Sequence, residues 1–316
     1  MFQQQTGRPD AQSRHARQSV RVPRGQLVTA TAMPTARRYV PSDSGSCRRD
    51  RGLRGVRHSR RAHLCGGSGL RKRRTGGRMS TWPVVVTAKS IKKALRVRRE
   101  LMDFWFGDVR RFNFSMASME RAQGLWFQRG KNREQKREFD STLRREHEPT
   151  VMKAKRGELR DDIWKDEAEG SLAFCVLCNQ VAKCMYRGKA KAFELDPLVI
   201  DRAKHAIDVG HQPQLHPIEQ NFLMLPLVHS ENIDDHRIAR DGYERAIDQA
   251  RNEKCYPFII DNLVGCIEFL EEHTRLLERF GRYPHRNDVL GRESTIEECD
   301  YLDEIREQFF GGNPRV

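Results

Sequence analysis

The feature that most constrains this chain is a stripe. Within Phe258–Phe280, the residues Ile260, Leu263, Ile267, Leu270, Leu277 and Phe280 fall on one face of an α-helix, Thr274 fills the gap, and Gly281 ends the pattern. A strand would bury alternate residues instead. The same helical period returns along most of the chain from Ala88 onward. Ile91, Leu95, Val97, Leu101 and Phe104 predict one helix stopped by Gly107, and Phe139, Leu143, Val151 and Met152 predict another ending near Gly157. Ser171 to Cys184 is apolar almost all round at its start, as a central buried helix must be. Asp196-Pro197 and His216-Pro217 are start signals; we expect the Asp196 carboxylate to accept a free backbone N–H, and Pro226 to end or kink the second of these helices. A polar helix is expected over Ile233–Asn252, and Thr295 with Glu298 matches a capping box for a last helix whose apolar face is Leu302, Ile305 and Phe309. No alternating strand pattern or Asn-Gly hairpin is present. The expected fold is therefore all-α: eight or nine helices in an antiparallel bundle or stack of helical hairpins, a single domain over residues 80–316.

Charge divides the chain at the same boundary. The net charge is +15, but residues 1–79 hold 19 Lys and Arg against 3 acids, which leaves the remainder nearly neutral. Nucleic-acid binding by the helical domain is therefore not expected, because it lacks a bulk attraction to phosphate backbones. Residues 1–79 are rich in Arg, Gly, Ser, Thr and Pro and are expected to be disordered. They suit a mitochondrial targeting segment, a basic RNA-binding or nuclear arm centred on Arg71-Lys72-Arg73-Arg74, or an upstream extension of a chain that starts at Met79. The location expected is the cytoplasm, or the mitochondrion if this segment targets. No apolar run is long enough to span a bilayer, so no membrane association is expected. The eight cysteines are irregularly spaced and are expected to be free thiols in a reducing compartment.

Five segments carry a family resemblance: LMDFWFG (101–107), the GEL of 157–159, RGKAKAFELD (187–196), FLMLPLVHSEN (222–232) and RFGRYPHRNDVLGREST (279–295). In order and spacing, from about Leu101 to Leu302, the chain resembles the bacterial-type domain-of-unknown-function family numbered 924. The resemblance implies a helical, tetratricopeptide-like fold and no assigned biochemical function. One departure stands out. Where the family usually has Leu-Asp-Gln-Phe-Pro-Arg-Asn, this chain has Cys178-Asn179-Gln180-Val181-Ala182-Lys183-Cys184, so Asn179 replaces a carboxylate.

Two candidate sites follow. His229 and Glu231, just after the apolar run Phe222–Val228, are placed for proton transfer or metal binding; the structural alternative is that Ser230 and Glu231 cap the next helix while His229 bonds a carbonyl. The polar connector Arg279–Arg292 holds Arg282, His285, Arg286, Asn287 and Arg292, which suit a carboxylate or phosphate near the start of the last helix. The alternative is that these side chains tie the connector to acidic helix faces such as Glu231. His273 sits beside the apolar stripe of Phe258–Phe280, but no close His-x-x-x-His pair exists, so no metal and no cofactor are expected. Cys175 and Cys178 on one helical face are expected as core residues, as are the aromatics of Phe104–Phe106. Three functions remain open: a binding or scaffold module for a peptide or small anionic ligand; an enzyme, perhaps a hydrolase, using His229, Glu231 and His285 with Arg282 and Arg286 to hold an anion; and RNA association through the basic arm. The oligomeric state is not legible.

Overall fold

The computed structural model describes residues 87–110, 114–128 and 130–310, with side chains as far as 305. Among these residues every regular element is helical. The expected disorder of residues 1–79 and the domain boundary after them lie outside the described residues. Thr87 opens α1 (Ala88–Phe106) by accepting from Ser90 N, and Gly107 closes it with φ of 53°, a backbone state that other residues adopt only with strain. There follow α2 (Met116–Phe127), α3 (Arg133–Lys155), the single turn α4 (Asp161–Trp164), α5 (Ala168–Cys175), α6 (Ala182–Met185), α7 (Asp196–Asp208), α8 (Pro217–Val228), α9 (Ile233–Asn252), α10 (Pro257–Phe280) and α11 (Ile296–Phe310). α5 and α6 are one rod, joined without a break by a π turn over Val176–Val181.

That rod is the centre. Every residue from Gly170 to Asn179 is buried. α7 and α8 pack on its first half and α3 on its second. α8, α9 and α10 are joined by four-residue connectors and pack on one another, as short connectors between long helices require. The core between these layers is aromatic: Phe222 meets Trp105, Phe106 and Trp126 edge to face at 4.7–5.9 Å. Trp105 and Phe106 are buried as expected, while Phe104 sits at the surface and stacks on Phe139. Cys175 and Cys178 are core thiols, and burial pushes Cys175 up to about 12. Cys184, Cys255 and Cys266 are free thiols as well. Among the described residues no helix is long and apolar enough to cross a membrane.

Three local expectations need correction. α7 starts where Asp196-Pro197 placed it, but Leu195 holds the cap position and the Asp196 carboxylate goes elsewhere, to Lys183 Nζ at 2.7 and 3.0 Å. An ammonium is a stronger partner for a carboxylate than a backbone N–H that water could serve. Pro226 does not end α8, which runs to Val228; its ring lies one turn from the helix end and costs a single backbone bond. α2 has no counterpart in the sequence reading, although Met119, Ala122 and Trp126 are buried on one of its faces and Ser115 caps it.

Close packing makes one glycine indispensable. A Cβ on Gly170 would lie 2.2 Å from the backbone oxygen of Ile163, whereas one on Gly124 in α2 would meet nothing within 4 Å. Gly170→Ala is expected to lower stability in urea unfolding by about 2–3 kcal/mol, and Gly124→Ala to raise it by about 0.5–1 kcal/mol. Equal effects at the two positions would show that α4 yields to the rod.

Candidate functional site

A π turn widens a helix by one residue and often marks a working site. Here it places Asn179 fully inside the protein and leaves Gln180 and Lys183 half-buried, where a partly exposed cluster of polar side chains, the recess, begins. Asn179 Oδ1 accepts from Gln180 Nε2 at 2.6 Å and lies 2.8 Å from Nδ1 of His229, the residue that closes α8. Asn179 Nδ2 is buried with no hydrogen-bond partner, a state that costs about 1–3 kcal/mol. One turn on, Lys183 holds Asp196 and lies 4.6 Å above the Phe193 ring.

The connector between α10 and α11 closes the other side. Tyr283 is its anchor: the O–H donates to Val228 O at 2.7 Å, the backbone N–H donates to Glu231 Oε1 at 2.8 Å, and the carbonyl accepts from Arg292. Arg292 also grips both oxygens of Glu231 at 2.7 and 2.9 Å. Arg286 lies between the rings of Phe193 and Tyr283, 4.9 and 4.5 Å from their centres, donates to His229 O at 2.8 Å and approaches Asp196 at 3.7 Å. His285 stacks on Tyr283, and His273 of α10 meets the same ring edge-on at 5.4 Å.

His229, His273, His285 and Lys183 are each half-buried, yet protein surrounds most of each. Their charged forms are disfavoured accordingly. Burial, reinforced by Lys183 and Arg286, holds His229 well below the usual imidazole range. Burial with Arg286 and His273 takes His285 to about 3, and burial outweighs the Phe269 carbonyl to take His273 to about 4. Burial lowers Lys183 to about 8 against the pull of Asp196. Lys183 and Arg286 place positive charge near His229 and His285, which disfavours a further proton on either ring. Among the described residues no three His, Cys, Asp or Glu side chains are grouped to hold a metal ion.

The sequence-derived candidates thus separate. His229, His285 and Arg286 meet in the recess. Glu231 spends both oxygens on Arg292 and the Tyr283 N–H, and its carboxyl, raised by burial, is brought below its ordinary value by those bonds. Nor does Glu231 cap α9, a role filled by Asn232. Arg282 grips Glu298 with two bonds, at 2.7 and 2.8 Å, and Asn287 bonds Ser294 and Glu298. Thr295 and Glu298 form the expected capping box. Lys183, Asn179 and Asp196 were missed as site residues. The signal was present in the altered Cys178–Cys184 string and in the FELD of 193–196, which no spacing rule brings together.

Residues 101–305 match the family described as "Bacterial protein of unknown function (DUF924)". The chain belongs to the DUF924 family. A solved structure described as a protein of unknown function, ATU0120 from Agrobacterium tumefaciens, is 29% identical, with a TM-score of 0.44 and coverage of 66% of this chain and 98% of that one. A search of curated proteins finds no match. In this DUF924 chain the Cys178–Cys184 string falls within the π turn and the helix that continues it.

The connector's ion pairs differ in weight. Arg279–Glu297 is exposed on both sides and contributes little. Glu298 is 2% exposed, and the two bonds from Arg282, with the Thr295 N–H and Asn287, hold its carboxyl near 2, against 4.5 when free. A depressed carboxyl contributes stability that is present above the unfolded value and lost as pH falls through the folded one. Glu298→Gln is therefore expected to lower the midpoint of thermal unfolding at neutral pH and to flatten the loss of stability between pH 4.5 and about 2. Glu297→Gln is expected to change neither, and matching acid limbs for the two variants would show that Glu298 does not hold the connector.

Proposed function

We propose that the chain is a binding module for a small anionic ligand, received in the recess lined by His229, His273, His285 and Lys183 with Arg286 behind them. The observation that carries this is the gathering of five cationic or protonatable side chains from four separate segments: the π-turn rod, the end of α8, α10 and the connector. Beyond burial, Lys183, Arg286, His273 and His285 lower the proton affinity of His229, and Arg286, His273 and Lys183 lower that of His285; an anion placed among them reverses that effect. A protein that needed these groups only for packing would do better with apolar side chains of the same volume. The reading that uses Glu231 as a catalytic acid or base loses support, because both oxygens of that carboxylate are committed to the connector. Arg282, Asn287 and Arg292 act in this reading as braces that set the position of His285 and Arg286, rather than as ligand contacts.

The sign of the pH dependence follows. With the recess empty, the histidines stay neutral down to pH values well below 6.5. A bound anion raises their proton affinity, so binding takes up protons and strengthens as pH falls. Calorimetric titration of the full chain with sulfate, which does not titrate in this range, is expected to show saturable binding that tightens from about pH 7 to about pH 5.5. Lys183→Gln is expected to weaken it about tenfold or more. Absence of saturable heat at both pH values, or a Lys183→Gln variant that binds as the wild type does, would overturn the proposal.

A further inference from the structure

The near-neutral total of the helical region averages two unlike groups of helices. α1, α2 and α3 hold fourteen Lys and Arg against eight acids, whereas α9, α10 and α11 hold seven against sixteen. The excess is densest on α1, with six Lys and Arg and two acids. One of the six, Arg98, is buried and spent on Glu167 and Glu169. The other five, Lys89, Lys92, Lys93, Arg96 and Arg99, are exposed. At about 100° per residue they fall within an arc of about 120°, opposite the side that enters the core, and they span about 15 Å of the helix axis. Arg96 approaches Glu100 at 3.5 Å, an exposed pair that contributes little. Among the described residues no carboxylate pairs with Lys89, Lys92, Lys93 or Arg99.

Like charges one turn apart on a helix repel, so a row of this kind costs stability unless an anion answers it. A basic helix binds a bilayer by sinking its apolar face below the headgroups. α1 has no such face to spare: Leu101, Met102, Trp105 and Phe106 are at most 2% exposed, and Ile91, Ala94 and Val97 pack on the core. A single nucleic-acid strand is gripped by stacking its bases on aromatic rings, and Lys89–Arg99 contains none. A duplex presents the complement. Each strand carries one phosphate about every 3.4 Å, so about 15 Å of backbone offers four or five charges in a row. The stripe also continues a longer trend, since from Arg51 to Arg99 the chain holds sixteen Lys and Arg and no acid. It lies ahead of residues 101–305, the part that matches the family, and is not a feature that the family match accounts for.

We propose that the exposed Lys89–Arg99 face of α1 is a docking surface for a nucleic-acid duplex, held through its phosphate backbone without regard to base sequence. Ammonium and guanidinium groups in such a row fix a protein on a duplex and read no bases. The surface is independent of the recess and of the ligand proposed for it.

Fluorescence anisotropy of the full chain with a labelled DNA duplex of about 20 base pairs, between about 50 and 200 mM salt, tests the proposal. Lys89→Gln/Lys92→Gln/Lys93→Gln is expected to weaken binding about tenfold or more at the lower salt and to lessen the log–log salt slope by about 2–3. Gln keeps a helix propensity close to that of Lys, and the three positions are exposed, so the fold is retained. Arg237→Gln/Arg251→Gln/Arg275→Gln removes the same charge from exposed positions of α9 and α10 and is expected to leave the slope unchanged. Equal effects of the two triple variants, a stripe variant that binds as the wild type does, or no binding by the wild type would each overturn the proposal. So would vesicles of phosphatidylserine and phosphatidylcholine that lose the stripe variant while the duplex retains it, an outcome that would assign the face to a membrane surface.

Discussion

The rod from Ala168 to Met185 must be kept from water on nearly every side, and the rest of the described structure answers that demand. Its first half has no polar face to turn outward, so α7 and α8 cover it, and α3 covers the second half. Burying such side chains contributes about 1.5–3 kcal/mol each, more than any exposed ion pair in the molecule. The rod is not uniform, however. Asn179, Gln180 and Lys183 interrupt its apolar surface near one end, and polar groups in such a place need polar partners. His229 answers Asn179, and Asp196 answers Lys183. The recess is where burial of the rod runs out.

The connector after α10 is built to a different rule. Few of its residues are apolar, and what fixes it is a set of charge-assisted bonds arranged around one buried tyrosine. Tyr283 joins the end of α8 through Val228 and approaches α9 through His236, 3.0 Å away. Arg292 and Glu231 close the loop behind it, and the Arg282–Glu298 pair fastens the far end to α11. These pairs have partly buried carboxylates and two-point geometry, which distinguishes them from ordinary surface pairs. A segment held this firmly presents His285 and Arg286 in fixed positions, and fixed positions are what selective recognition requires.

Much of the helical architecture was legible because it rests on local periodicity. The stripe of Phe258–Phe280 and the start signals at His216-Pro217 and Thr295 reappear as α10, α8 and α11 within a residue or so. α2 was not read from the sequence, although Met119, Ala122 and Trp126 share a face, because Ser118 and Gln123 interrupt the apolar pattern there. The family, too, was legible from strings such as RFGRYPHRN, and it carried no function with it. The site was legible only in part. His229, His285 and Arg286 stand in segments whose polarity is conspicuous, but Lys183 looks like an ordinary charge near a helix end, and Asp196 like an ordinary cap. Their meeting depends on tertiary packing between residues 13 apart in sequence and on an Arg286 that approaches from the connector. The same polarity that drew attention to Arg282, Asn287 and Arg292 has a second use as bracing, and composition alone does not separate the two uses.

The π turn has a consequence for how this chain can change. It holds one residue more than an α-helical path would need. Deleting a single residue within Val176–Val181 would let the rod run as continuous α-helix, and by local propensity nothing would be lost. The residues on either side would keep their places around the rod axis, because the wide turn already absorbs the extra residue. Lys183 would stay beside Asp196, and what would change is the turn itself, which sets Asn179 against His229. Insertions and deletions are usually absorbed in loops, where they alter little. In this molecule the most deeply buried helix carries a position at which the length of the chain sets the chemistry of the site.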